Sequence, residues 1–139
     1  MSQRRNEVAV TGGSAAITLF IADQVITVPP SATLLAAAEE LAADGVGLLL
    51  VGTMEDVRGV ISERDIICAI GAGRDPAATT VGEVAHARLV WCSATATVHE
   101  AGLLMMTEYV RHVLVEDGGR LVGIVSARDL LGAYVADTP

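Results

Sequence analysis

Short apolar runs of strand length alternate with Ala- and Leu-rich stretches of helical character along this chain. Val25-Ile26-Thr27-Val28 is rich in β-branched residues and stops at Pro29-Pro30, which predicts a strand with a hard end. Thr33 is placed to cap a helix running to about Asp44, whose Ala, Leu and Glu content is strongly helical, and Gly45 ends it. Val46 to Val51 is a continuous apolar run, hence a buried strand. Gly52 to Asp56 is a turn, Val57 to Ile61 the next strand, and Ser62 opens a helix to about Ile70. The predicted unit is β-α-β-β-α.

The pattern then returns. Thr80-Val81-Gly82-Glu83 is a capping box that opens a short helix. Leu89-Val90-Trp91-Cys92 predicts a strand, and Thr97-Val98-His99-Glu100 a second capping box with a helix to about Glu108. Val110 to Val115 and Leu121 to Val125 are strands joined by the tight turn Asp117-Gly118-Gly119-Arg120, and the last helix ends near Val135. A single offset of 64 residues superposes the two units without a gap. It sets Ile17 on Val81, Thr33 on Thr97, Val46 on Val110 and Leu50 on Leu114. It also sets Gly59-Val60-Ile61-Ser62-Glu63-Arg64-Asp65 on Gly123-Ile124-Val125-Ser126-Ala127-Arg128-Asp129. The fold class is therefore mixed α/β (α+β), with two tandem β-α-β-β-α repeats expected to pack about a pseudo-twofold axis. Residues 1–14 carry charge, two adjacent glycines and no periodicity, and read as a flexible arm. Repeat 1 is placed at 15–74 and repeat 2 at 75–139, with a linker at about 71–79.

Composition narrows the function classes. The chain has 139 residues, of which 52% are hydrophobic and only 3% aromatic, so Ala, Val, Leu and Ile must fill the core. Mean hydropathy is +0.52, yet apolar stretches such as Ile17 to Ala22 and Val46 to Val51 fall far short of the roughly 20 residues a membrane helix needs. No secretory leader pattern opens the sequence, so a cytoplasmic protein without a membrane partner is expected. A net charge of −8 argues against nucleic acid as a partner, because that binding leans on phosphate neutralisation. All nine basic residues are Arg, which can still hold an anion bidentately on an acidic protein. Cys68 and Cys92 fall in predicted helix and strand and are expected to be buried free thiols. His86, His99 and His112 have no zinc-site spacing with either Cys, and no catalytic triad is suggested; the chain does not read as an enzyme.

The doubled Gly-h-h-Ser-x-x-Asp closing motif (h, apolar) on two β-α-β-β-α units resembles a pair of CBS domains, the cystathionine β-synthase repeat. The second unit is close to the family pattern from Val110-Arg111-His112 through Asp117-Gly118-Gly119-Arg120-Leu121-Val122-Gly123-Ile124-Val125-Ser126 to Leu131, and the first is more divergent. Thr80-Val81-Gly82-Glu83-Val84 resembles the family's lead-in to a second repeat. The likeness covers about residues 15 to 135. It implies a non-catalytic sensor binding an adenosine ligand (AMP, ADP, ATP or S-adenosylmethionine) between the repeats, with no required cofactor. It also implies a homodimer and leaves room for a regulated protein partner.

The residues themselves leave two readings open. Ser62 and Ser126 each sit at a helix start, where backbone N–H groups and the positive end of the helix dipole favour an anion. Asp65 and Asp129, one turn on, offer two acceptor oxygens that suit the paired hydroxyls of a ribose. Gly59 and Gly123 would let a flat ring approach the adjoining strand. Equally, Ser-x-x-Asp is a cap worth about 1 kcal/mol that needs no ligand. Arg111 and His112 are candidates to reach a phosphate; the first unit has Gly47-Leu48 there, which favours one competent site, with vestigial clefts in a purely structural module as the alternative. Arg64 and Arg128 lie in a first helical turn, where a cation is unfavourable unless it faces an anion or plain solvent. Trp91 is either a core or interface anchor or a stacking surface for a base.

Overall fold

Two three-stranded sheets carry the repeat in the computed structural model, which describes residues 12–21 and 25–136. In chain order the elements are β1 (Thr27–Val28), α1 (Leu34–Asp44), β2 (Leu48–Gly52), β3 (Val57–Ser62), α2 (Glu63–Gly71), α3 (Val81–Val84), β4 (Trp91–Ser93), α4 (Val98–Glu108), β5 (His112–Asp117), β6 (Arg120–Ser126) and α5 (Ala127–Ala136). In the first sheet β1 runs parallel to β2, with Thr27 beside Leu50, and β2 runs antiparallel to β3, with Leu48 opposite Ser62. The second sheet repeats this, with Trp91 beside Leu114 and His112 opposite Ser126. Even the irregularity recurs at the same offset, at Val51/Gly52 and at Val115/Glu116. The first strand of each unit is shorter than the apolar run that predicts it.

Local chemistry sets the helix ends as the sequence reading expects. Thr33 Oγ1 accepts from the Ala36 amide at 3.0 Å, and Gly45 closes α1 in the left-handed region at φ 64°. Thr97 and Glu100 form a reciprocal capping box at the start of α4. The residue that closes α4 is Tyr109, also left-handed at φ 56°, where the other copy has glycine.

Contacts divide the chain into two compact units, one of Val25–Leu89 and one of the N-terminal segment with Val90 onward. In the first, Val28, Leu49, Val51 and Ile61 of the sheet pack with Leu34, Ala37, Leu41, Ile66, Ala69 and Val81. In the second, Val113, Val115 and Val125 pack with Val98, Ala101, Met105, Leu130, Ala133 and Ile17. Each Val, Leu or Ile so buried contributes about 1.5–3 kcal/mol, which is how a core almost without aromatics holds. β2 is buried from Leu48 to Val51, as a continuous apolar run requires.

The lead-in segments cross over between repeats. By sequence, Ala15 to Ile21 opens the first repeat; in the fold it packs within the second unit. Ile17 N–H donates to Ala96 at 3.0 Å, and Val98 N–H to Ala15 at 2.9 Å. The equivalent bonds 64 residues apart run from Val81 to Ala32 at 2.7 Å and from Leu34 to Thr79 at 2.9 Å. Thr80 accordingly bridges Thr33, and Ala16 bridges Thr97. Of the arm expected over residues 1–14, only Gly12–Ser14 is described, as a 3₁₀ turn with Gly12 buried. The thiols differ from expectation: both are free, but Cys68 is exposed, because it faces away from the α2 side that buries Ile66 and Ala69. Cys92 is half-buried, and burial together with Glu100 and Glu116 pushes its thiol pKa up.

Candidate functional site

At the end of the second sheet, the strand order brings the sequence-selected residues of repeat 2 together. β6 delivers Ser126 as the last strand residue and α5 begins one residue later. His112, the first residue of β5, stands directly opposite Ser126, a pairing that sets Cβ atoms about 5 Å apart. Arg111 precedes it, and its carbonyl accepts the Ala127 amide at 2.7 Å. Asp129 folds back on the strand end: its Oδ2 accepts from Ser126 N–H at 2.8 Å, while its own N–H donates to Ser126 Oγ at 3.1 Å. Asp129 Oδ1 has no hydrogen-bond partner among the described residues. The guanidinium-bearing side chains of Arg111 and Arg128 are exposed, and neither is in an ion pair among the described residues.

The first repeat builds the same cap with different surroundings. Ser62 N–H and Ser62 Oγ–H donate to Asp65 Oδ2 at 2.7 and 2.9 Å, and Asp65 N–H donates to Ser62 Oγ at 3.1 Å. The Glu63 amide goes to Gly47 at 3.0 Å. Opposite Ser62 stands Leu48, buried and without a polar atom. Glu63 adds a second acid to the first turn of α2, where α5 has Ala127, so the first helix start is the less favourable of the two for an anion. Arg64 is exposed. Asp65 Oδ1 is occupied by His86 Nε2 at 2.5 Å. That leaves Asp65 with 15% of its side chain exposed, while His86 keeps 60%.

Two expectations are corrected. The helix starts leave fewer amides open than expected: at each, the first helical amide serves the carbonyl of Gly47 or Arg111 and the third serves the capping serine, so only the second has no acceptor among the described residues. Nor do Gly59 and Gly123 leave room for a ring. Both are buried. A Cβ on Gly59 would stand 2.5 Å from the His86 carbonyl oxygen, and one on Gly123 would overlap Ile21 Cγ2. These glycines admit the protein's own chain. What remains for a ligand at the second helix start is the Oδ1 edge of Asp129 and the second helical amide.

His86 is the residue that the motif reading passed over. It lies just past the short helix α3, and nothing in its local pattern marks it. The signal lies in comparing copies: His86 corresponds to Ala22 at the offset of 64, as His112 corresponds to Leu48. Trp91 lies on β4, about one third exposed, beside Leu114 of β5. Among the described residues no cluster of His, Cys, Asp and Glu is placed to hold a metal ion.

Comparison with known proteins agrees with this geometry. The chain matches the CBS domain twice, at residues 18–72 and 81–136. It is 35% identical over 100 residues to hypoxic response protein 1 of Mycobacterium tuberculosis, covering 70% of each chain. It superposes on a putative signal-transduction protein with CBS domains from Burkholderia ambifaria with a TM-score of 0.79 and 31% identity, covering 84% of this chain and 86% of that one. It also superposes on a CBS domain protein from Pyrobaculum aerophilum complexed with AMP, with a TM-score of 0.73 and 27% identity, covering 87% of this chain and 98% of the other.

Proposed function

The chain belongs to the CBS domain family, as a tandem pair of such domains, and on that premise we propose that it is a regulatory module that takes an adenosine-type nucleotide at the α5 helix start of its second repeat. The observation that carries this reading is the Asp129 carboxylate. One oxygen holds the cap and the other has no partner among the described residues, so a ribose hydroxyl can donate to it without dismantling the helix start. Ser126 and His112 stand at the same strand end, and the exposed Arg111 and Arg128 supply positive charge for a phosphate. The AMP complex of the Pyrobaculum aerophilum protein supports the ligand class. AMP, ADP, ATP and S-adenosylmethionine all carry the adenosine this carboxylate would recognise. The module needs no cofactor and performs no chemistry of its own; binding would bias a partner or a second copy.

Self-association is the second part of the proposal. Helix α2 exposes Ile67 by 67% and Ile70 by 49%, and α5 exposes Leu131 by 63% and Val135 by 69%. Apolar residues set out in this way on two helices suit a homodimer contact. A cytoplasmic location is part of the proposal; among the described residues no helix is long and apolar enough to cross a membrane.

A thermal-shift screen with AMP, ADP, ATP and S-adenosylmethionine at millimolar concentration tests the ligand class. A ligand present at 100 times its Kd adds about 2.7 kcal/mol of stability. A rise in melting temperature with at least one of them is expected, and none with any of them would remove the adenosine reading and leave the structural module.

A further inference from the structure

We propose that His86 is a built-in occupant of the first repeat's carboxylate, so that the chain offers one adenosine site instead of two. The inference deepens the reading above and rests on it. A doubled fold with a doubled Ser-x-x-Asp would be expected to bind two equivalents. Among the described residues, however, the two carboxylates do not have the same partners. Asp65 takes three donors: Ser62 N–H at 2.7 Å and Ser62 Oγ–H at 2.9 Å on Oδ2, and His86 Nε2 at 2.5 Å on Oδ1. Oδ1 is the oxygen whose counterpart on Asp129 has no partner among the described residues. The imidazole therefore sits on the edge of Asp65 that a ribose would need.

The occupant is rooted. His86 N–H donates to the Val60 carbonyl at 2.9 Å, and Val60 N–H donates to the His86 carbonyl at 3.0 Å, so the backbone just after α3 is tied to β3. Gly59 permits this approach, since a Cβ there would stand 2.5 Å from the His86 oxygen. Upstream, Arg74 Nη2 meets Glu83 Oε1 at 2.9 Å and Glu83 Oε2 accepts the Thr80 amide at 2.7 Å, which fixes the short helix that leads into His86. At the offset of 64 the sequence has Ala22 in place of His86, a residue type without a side-chain donor.

The test is the number of AMP molecules bound per chain, read by calorimetry on the full chain and on His86→Ala, whose altered side chain is largely exposed. His86→Ala should bind one more AMP than the wild type, and the added site should vanish when Asp65→Ala is combined with it. His86→Gln keeps an N–H donor and should bind the wild-type number. Equal stoichiometry in His86→Ala and wild type, or an added site in His86→Gln, would overturn the inference. The wild-type count by itself reports on the adenosine reading; only the difference between variant and wild type reports on His86. A ligand-free measurement stands beside it: the His86 Nε2 resonance should move when Asp65 becomes Asn, and an unmoved resonance also overturns the inference.

Discussion

Ile17 donates its amide to the carbonyl of Ala96 at 3.0 Å and buries its side chain completely. That one relationship ties the opening of the first repeat to the strand-helix joint of the second. Val81 makes the same bond to Ala32, 64 residues away in both partners. Each compact unit thus takes its lead-in from the stretch that opens the other repeat in sequence.

Ile17→Ala should destabilise the protein by about 2–5 kcal/mol, the cost of emptying a fully buried aliphatic site. Hydrogen exchange locates the effect. Amides of β5 and β6 should lose protection while those of β2 and β3 keep theirs. Uniform loss, or loss confined to β2 and β3, would contradict the crossed packing.

Gly59→Ala and Gly123→Ala are matched by sequence and should not be matched in cost. At Gly59 the added methyl would meet the backbone carbonyl of His86, a residue whose amide and carbonyl are both bonded to Val60. At Gly123 it would overlap the Cγ2 branch of Ile21, a side-chain atom that a change of rotamer can move, where Gly59 meets backbone. Overpacking costs about 1–3 kcal/mol, and denaturant melts should place Gly59→Ala at the upper end and Gly123→Ala below it.

Tyr109 ends α4 in the left-handed region with 95% of its surface exposed, so it incurs backbone strain and gains no packing. Gly45 performs the same closure in the other copy without that strain. Tyr109→Gly should therefore raise stability by about 0.5–1 kcal/mol, after the entropy that glycine adds to the unfolded chain. A lower melting midpoint would show that the tyrosine is held by something other than the helix end.

Much of this was legible in the sequence, and the reason is local. Thr33, Thr97, Gly45 and the Gly118-Gly119 turn specify their geometry through near-neighbour bonds, and the gapless offset carried each assignment from one copy to the other. The crossing of the lead-ins was not legible, because the apolar stretch at Ile17 fits either sheet equally well by pattern. Nor was the occupation of Gly59 and Gly123, since a glycine demanded by the protein's own chain reads the same as one demanded by a ligand. His86 escaped because a lone histidine after a four-residue helix carries no spacing signal; its difference from Ala22 in the other copy marks the position, and its pairing with Val60 and reach to Asp65 give that difference a meaning.

The linker helix carries a pH dependence. Hydrogen bonds from Thr80 N–H and Thr80 Oγ–H, with Arg74 nearby, hold the Glu83 carboxyl below its ordinary value of 4.5. A carboxyl lowered in the folded state adds stability that is present above the unfolded value and is lost as pH falls through the folded one. Glu83→Gln should therefore lose least against wild type at low pH and most near neutrality. Melts between pH 7 and pH 3 check this, and a difference independent of pH would refute it.

The most direct measurement compares Asp129→Ala with Asp65→Ala in calorimetric titrations with AMP. Each substitution removes the carboxylate that accepts the capping serine's amide, and Asp65→Ala also removes the partner of His86, so the larger structural loss falls on the variant expected to keep its affinity. Asp129→Ala should weaken binding tenfold or more, a loss of about 1.4 kcal/mol, while Asp65→Ala leaves the affinity within a factor of about two. Equal losses, or the larger loss at Asp65, would contradict the assignment of the site to the second repeat.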